Sequence, residues 1–176
     1  VRASHVYADN GLFNVIVSVT DVFGATGTGT WAVTVNNVAP VARNDAYTVL
    51  EDGSLSIAGP GVLGNDSDVP ADTLTAQLVV NVAHGSLTLN PNGSFAYAPD
   101  GNYSGADSFT FRVNDGTTNS VPALVTITVT PVNDGPVAND DLATTPEDTD
   151  VTVPVLVNDI DPDGDPLTIT IATTTN

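Results

Sequence analysis

The chain has no cysteine and no methionine, and aromatic residues make up only 6% of its 176 positions. Without cysteine no disulfide can staple a small domain, so any fold must be held by packing and by bound ions. Lysine is also absent, leaving Arg2, Arg43 and Arg112 against nineteen Asp and two Glu, a formal net charge of −18. Nucleic acid and anionic membranes are bound by Lys and Arg that displace counterions, so both are excluded as partners. No run approaches the roughly 18 apolar residues of a membrane-crossing helix, which excludes insertion by that route. With no initiator Met and no leader peptide, the sequence is expected to be a fragment or a processed segment that starts partway through a domain.

What is present is β-forming. Hydrophobic residues reach 41%. Short Val, Thr, Ile and Phe runs are bounded by Gly, Asn, Asp and Pro at intervals of about 8–12 residues, the pattern of a sandwich or barrel. The alternation Phe109, Phe111, Val113 against Thr110, Arg112 marks a strand with one buried face. Strands are predicted near 13–20 and 28–36, then near 45–50, 53–58, 73–81, 85–90, 93–98, 107–114 and 122–131. Asn90-Pro-Asn-Gly reads as a tight hairpin, because Asn and Gly tolerate positive φ.

One phrase occurs twice. Pro40-Val-Ala-Arg-Asn-Asp through Glu51-Asp returns as Pro136-Val-Ala-Asn-Asp-Asp through Glu147-Asp, 96 residues later. Leu63-Gly-Asn-Asp-Ser-Asp then returns at spacing 93 as Leu156-Val-Asn-Asp-Ile-Asp. That period suits one small β-domain and is too long for a solenoid repeat. The expected architecture is all-β: tandem sandwiches, one complete (39–134) and two partial (1–38 and 135–176). In 135–176 only the first three strands are expected, the last at Leu167–Ile171.

Acidic residues cluster between the apolar runs, and this position matters more than their number. Asp159-Ile-Asp-Pro-Asp-Gly-Asp sets carboxylates at alternate positions with a turn-permitting Gly after the third. Calcium takes six to eight hard oxygen ligands in flexible geometry, which such a loop suits. The twelfth position is Thr170 rather than Glu, and Pro162 and Pro166 oppose helices, so the loop is not an EF-hand. Strand parity puts Glu51, Asp107 and the linker Asn133-Asp134 at the base of the complete unit, and Asp159, Asp161, Asp163 and Asp165 at the top of the next. Unpaired, these groups would repel, so a divalent cation is expected at the junction, the alternative being solvated acidic loops. The junction near residue 38 is poorer. Its linker is Asn36-Asn37, and its loop offers Asp66 and Asp68 without a third alternate carboxylate, with Asp9 contributing from below.

Catalysis has little support. His5 and His84 lie far apart without a nucleophile partner, and the aspartates sit in loops that favour ionised, metal-bound forms over a protonated general acid. Trp31, Tyr97 and Tyr103 read as core or corner packing, with a sugar-stacking face as the alternative.

Gly85-Ser-Leu-Thr-Leu-Asn-Pro-Asn-Gly-Ser-Phe-Ala-Tyr, Tyr103-Ser-Gly-Ala-Asp-Ser-Phe-Thr-Phe-Arg-Val-Asn-Asp-Gly and Val132-Asn-Asp-Gly-Pro-Val-Ala together resemble the bacterial cadherin-like, VCBS or "tandem-95" repeats of RTX-type adhesins. Residues 135–176 resemble the first half of the next repeat. His5-Val-Tyr-Ala-Asp-Asn-Gly-Leu-Phe and the strand after it are similar to the C-terminal half of a PKD domain. The resemblance implies Ig-like sandwiches, an extracellular or cell-surface location and the cadherin scheme of interdomain calcium (Ca2+), in which Asp115 takes the place of a further top-side ligand. Two functions are then expected to compete. One is a structural, calcium-rigidified module of a large adhesin or surface fibre, whose partners are neighbouring repeats. The other is a polysaccharide-binding accessory of a secreted hydrolase, with glycans as partners. The partial end domains also suggest completion by other copies through strand complementation.

Overall fold

The computed structural model describes residues 4–69 and 72–170. Strands β1 (Gly11–Thr20) and β2 (Thr26–Val35) form an antiparallel two-stranded ribbon. A sandwich follows, built from β3 (Asp45–Leu50), β4 (Leu55–Ile57), β5 (Thr75–Val80), β6 (Gly85–Leu89), β7 (Phe95–Pro99), β8 (Gly105–Asn114) and β9 (Ala123–Thr130). One sheet has the order β3-β9-β8-β5 and the other β4-β7-β6. The first strand lies parallel to the last, in the register Asp45↔Val125 to Leu50↔Thr130. Each predicted strand up to residue 131 is present, shifted at its ends by a few residues at most. A single 3-10 turn at Gly61–Leu63 interrupts the loop between β4 and β5.

Alternation along β8 and β9 decides which face is buried. Phe109, Phe111 and Val113 point inward from β8, and Ala123, Val125, Ile127 and Val129 from β9. Tyr97 and Phe95 meet them from the opposite sheet. Phe95 sits edge-on to Tyr47 and to Phe109 at ring separations of 5.0 and 5.6 Å. The top of the sandwich is closed by the β6–β7 hairpin against the 3-10 turn, through Val62 N–H to Gly93 O at 3.1 Å. Here the backbones come too close for side chains: a Cβ on Gly93, whose φ is +81, would lie 1.9 Å from Pro60 O.

The inward face of β8 also carries a carboxylate. Asp107 is in phase with Phe109 and Phe111, so strand parity turns it into the sandwich and away from the junction where sequence placed it. Its oxygens accept from Ala83 N (3.0 Å), His84 N (3.1 Å), Ser108 N (2.8 Å) and Tyr97 Oη (2.9 Å). Burial is the largest single influence on this group and opposes ionisation. The donors from Ala83, Ser108, Tyr97 and His84 together outweigh it and hold the carboxyl below its ordinary range. Tyr97 is pushed upward by the same burial and by its bond to Asp107. Asp107 is therefore a pin that ties the 81–84 loop to β7 and β8.

Two other expectations are corrected, for Trp31 and for residues 135–170, while Tyr97 and Tyr103 pack as expected. Tyr97 is core, and Tyr103 closes a corner through its hydroxyl on Ala106 O at 2.7 Å and a stacked His84 ring at 4.1 Å. Trp31, however, is 69% exposed. It lies opposite Val15 on a ribbon that no second sheet covers among the described residues. Residues 135–170 likewise form no strands. Their one ladder contact is the bridge Val137↔Ile160, and Ile171 lies outside the described residues. In the complete unit the first two strands pair with β9 and β7, and the described part of the second copy contains no counterpart to either.

Asp107→Asn should lower stability by about 2–4 kcal/mol, because an amide leaves some of four buried donors facing an N–H₂ group. Since the folded carboxyl titrates below the unfolded one, this contribution is complete above the ordinary Asp range and fades as pH falls below it. Urea titrations of both proteins should converge at low pH; a gap that persists there counts against the pin. Gly93→Ala should cost about 2 kcal/mol or more through forced backbone displacement. Gly101→Ala, with open space around its Cβ, should stay within about 0.5 kcal/mol.

Candidate metal centre

Glu51 follows β3 directly, and its backbone N–H bonds Thr130 O at 3.0 Å, extending the β3–β9 pairing by one rung. Its side chain is only 4% exposed, and Oε1 accepts the Val132 N–H at 2.6 Å, so the outgoing linker is fastened to this carboxylate. Two residues on, the Asp134 N–H donates to Asp163 Oδ2 at 2.6 Å, which draws the 159–165 loop onto the linker. That loop is wound around Asp161, whose Oδ1 accepts from Asp163 N at 3.0 Å and Asp165 N at 3.2 Å. Gly164 at φ +77 makes the turn. The result is that one carboxylate oxygen each from Glu51, Asp134 and Asp163 lies within 4.8 Å of the others.

Among the described residues no cationic side chain acts on Asp134 in this group. Asp134 Oδ2 is buried without a hydrogen-bond partner. Its carboxyl is pushed above the ordinary range, first by burial and then by the charges of Asp52, Asp163, Glu51 and Asp161. Sequence reasoning missed Asp52; its position beside Glu51 in the same turn was the available signal. Of the expected ligands, Asp161 is close enough to act electrostatically, Asn133 bonds the Asp134 carbonyl at 3.1 Å, and Asp165 meets the loop through its N–H.

Asp159 has a different task, and the repeat reveals it. Its Oδ1 caps the Asn139 N–H at 2.7 Å, as Asp66 Oδ1 caps the Arg43 N–H at 2.7 Å in the complete unit. Asn158 Nδ2 reaches Asp140 O at 3.2 Å as Asn65 Nδ2 reaches Asn44 O at 3.1 Å. The bridges Val137↔Ile160 and Val41↔Ser67 complete the match. The duplicated Asn-Asp is thus a clasp that holds each loop against the segment entering its unit.

At the first junction Val38 stands where the second linker has Asp134, and the linker works through the amide of Asn37. Its Nδ2 donates to Asp115 Oδ2 at 2.7 Å, and its Oδ1 accepts from Asn10 Nδ2 at 2.6 Å. Asp115 Oδ1 takes the Thr118 and Thr117 N–H groups; the Thr118 bond, then Asn37, hold this carboxyl below its usual range. Asp72 is raised by burial and then by Asp9, Asp68 and Asp115, so four carboxylates share this junction. Asp66 and Asp68 each keep one buried, unpartnered oxygen, as does Asp45. Asp45 is pushed up to about 6 by burial and by Asp66, against the Asn65 amide.

These donors are all hard oxygens, some stripped of water and unpaired, so a hard divalent cation fits the residues present. Glu51, Asp134 and Asp163 would hold it at the second junction, with charge compensation as its contribution. In chelator, Asp134→Asn should be at least as stable as the parent. Because the raised Asp134 favours its protonated form in the fold, the parent should lose stability as pH rises through that value and the variant should lose less. Parallel pH series of thermal melts in chelator would expose the opposite ordering.

Residues 37–131 match the bacterial cadherin-like domain family and residues 133–176 the bacterial Ig domain family. Partial likenesses among solved structures include protocadherin gamma B2 extracellular cadherin domains 1–5 (14% identity, 81% of this chain and 30% of that one, TM-score 0.44). Others are the protocadherin gammaB7 EC3-6 cis-dimer (15%, 76% and 36%, 0.38) and the endo-fucoidan hydrolase MfFcnA4 of glycoside hydrolase family 107 (20%, 71% and 19%, 0.41). The chain therefore spans about a fifth to about a third of these structures. The matched families are broader than the VCBS and RTX-type resemblance, and neither match reaches residues 1–36, where the PKD resemblance lies. With more than half of its length matched over residues 37–131, the chain belongs to the bacterial cadherin-like domain family.

Proposed function

We propose that the chain is a calcium-rigidified structural segment of a large extracellular adhesin or surface fibre, in which Ca2+ fixes the angle between successive sandwiches. The observation that carries this reading is the convergence of Glu51, Asp134 and Asp163 on one point, each supplied by a different part of the junction. A carboxylate from the base of one unit, one from the linker and one from the loop of the next repel one another when the backbone bonds bring them together, and a cation would offset that repulsion. The buried, unpaired oxygen of Asp134 supports it. At the first junction the Asn37 bridge supplies neutral donors, so fewer free charges remain for an ion there. The working partners are neighbouring repeats, and the working location is the cell surface.

The exposed Trp31 favours a second reading as a glycan-binding accessory, since a ring on an uncovered ribbon is available to stack on sugars. A glycan array on which Trp31→Ala binds as the parent does would remove it.

The main reading is tested by small-angle scattering of the intact chain with Ca2+ and with chelator. A longer, stiffer envelope is expected with the ion, and an identical envelope in both conditions would sink the proposal. By calorimetry, Glu51→Gln should weaken binding about 10–100-fold, at least the scale seen when a supporting group is lost.

A further inference from the structure

The triplet Asn-x-Ser, with no Pro at its centre, occurs at three places: Asn65-Asp-Ser67, Asn92-Gly-Ser94 and Asn102-Tyr-Ser104. An N-linked sugar needs this triplet on a surface loop, with an amide nitrogen open to attack and a hydroxyl two residues on. The fold treats the three differently. Asn65 Nδ2 is spent inside the clasp, donating to Asn44 O and to Asp45 Oδ1, each at 3.1 Å. Ser67 is fixed there by its bridge to Val41. Asn92 Oδ1 accepts both the N–H and the hydroxyl of Ser94, at 3.1 and 2.7 Å, so that triplet is folded onto itself. Its Nδ2 also lies against Gly59, where an added Cβ would meet it at 3.1 Å. Asn102 stands apart, in the turn between β7 and β8. The Tyr103 N–H returns to Asp100 O at 3.1 Å, and Asn102 takes φ +59, a left-handed conformation that Asn tolerates. Asn102 and Ser104 are both exposed, and a Cβ on Gly101 would meet nothing within 4 Å. Among the described residues no protein hydrogen bond engages the Asn102 amide or the Ser104 hydroxyl; the turn is held instead by Tyr103, through Ala106 O and the stacked His84 ring.

We propose that Asn102 is an N-glycosylation acceptor, modified in the folded chain by an oligosaccharide from a polyprenyl-diphosphate donor. Asn102 Nδ2 forms the new bond to the anomeric carbon of the sugar while the bond from that carbon to the diphosphate oxygen breaks. The diphosphate leaves with the electron pair, and the amide proton passes to a base of the transferring enzyme. The Ser104 hydroxyl is the group such an enzyme reads two positions after the Asn. Asp100 stands two positions before it, where Asn65 has Leu63 and Asn92 has Asn90, so an enzyme that also reads an acid there selects this site alone. Because Gly105 pairs with Val129, the sugar sits at the end of the sandwich from which the linker leaves. The modification requires a chain that leaves the cytoplasm, as the structural reading has it. Supplying the enzyme directly lets the two readings fail separately.

The test incubates the intact, folded chain with a bacterial oligosaccharyltransferase and a polyprenyl-diphosphate oligosaccharide, in a preparation that modifies a free peptide of residues 98–106. Intact mass should rise by one oligosaccharide, and peptide mapping should place it on Asn102. Ser104→Ala removes an exposed hydroxyl with no protein partner, so the variant should melt with the parent and yet lose the increment. Ser104→Thr, which restores the hydroxyl, should keep it. A folded chain that stays unmodified while the peptide is glycosylated overturns the proposal. So does an increment carried by Asn65 or Asn92, or one that survives Ser104→Ala.

Discussion

The molecule is organised by carboxylates that divide their two oxygens between backbone and junction. With three arginines for twenty-one acids, side-chain ion pairing cannot balance the charge, and the donors are main-chain N–H groups with a few Asn amides and the Tyr97 hydroxyl. Glu51 gives Oε1 to Val132 N, Asp66 gives Oδ1 to Arg43 N, and Asp68 gives Oδ1 to Val69 N. In each Asp the other oxygen is buried and unpartnered. A carboxylate so anchored has lost the rotamer freedom that would let it swing into water, so its second oxygen is held in place. Asp107 shows the contrasting case, with both oxygens consumed by protein donors inside the sandwich.

How much of this could be read from the chain differs between strand and loop. Strands β3 to β9 were legible because Val, Ile and Phe recur at period two between Gly, Asn and Pro stops, and both sheets cover their apolar faces. The same alternation in β1 and β2 predicted strands correctly, but it could not say that Trp31 lacks a covering sheet. In residues 135–170 the pattern is as clear, yet no strand forms, because pairing is a property of the partner as much as of the segment.

The acidic site was legible as a region and only partly as a set of ligands. Parity along β8 turns Asp107 inward by the same rule that assigns Phe109 and Phe111 to the core. Asp159 and Asp66 were counted as ligands for their spacing, whereas the duplicated contacts show that their first duty is the clasp. Asp52 and Asp72 act on the two junctions through space, and charge at a distance leaves no periodic trace in a sequence.

The two junctions use the same scaffold with different chemistry in the linker. Asn37 and Asn133 occupy equivalent positions 96 residues apart, but the next residue is Val38 in one linker and Asp134 in the other. Replacing a carboxylate by an apolar side chain removes the linker's negative ligand. The Asn37 amide then bridges Asn10 to Asp115 directly, without needing an ion. An amide bridge is short-ranged and nearly independent of salt, whereas a cluster of anions answers to every divalent cation and to ionic strength. One substitution in a linker thus gives two joints of the same scaffold different charge patterns.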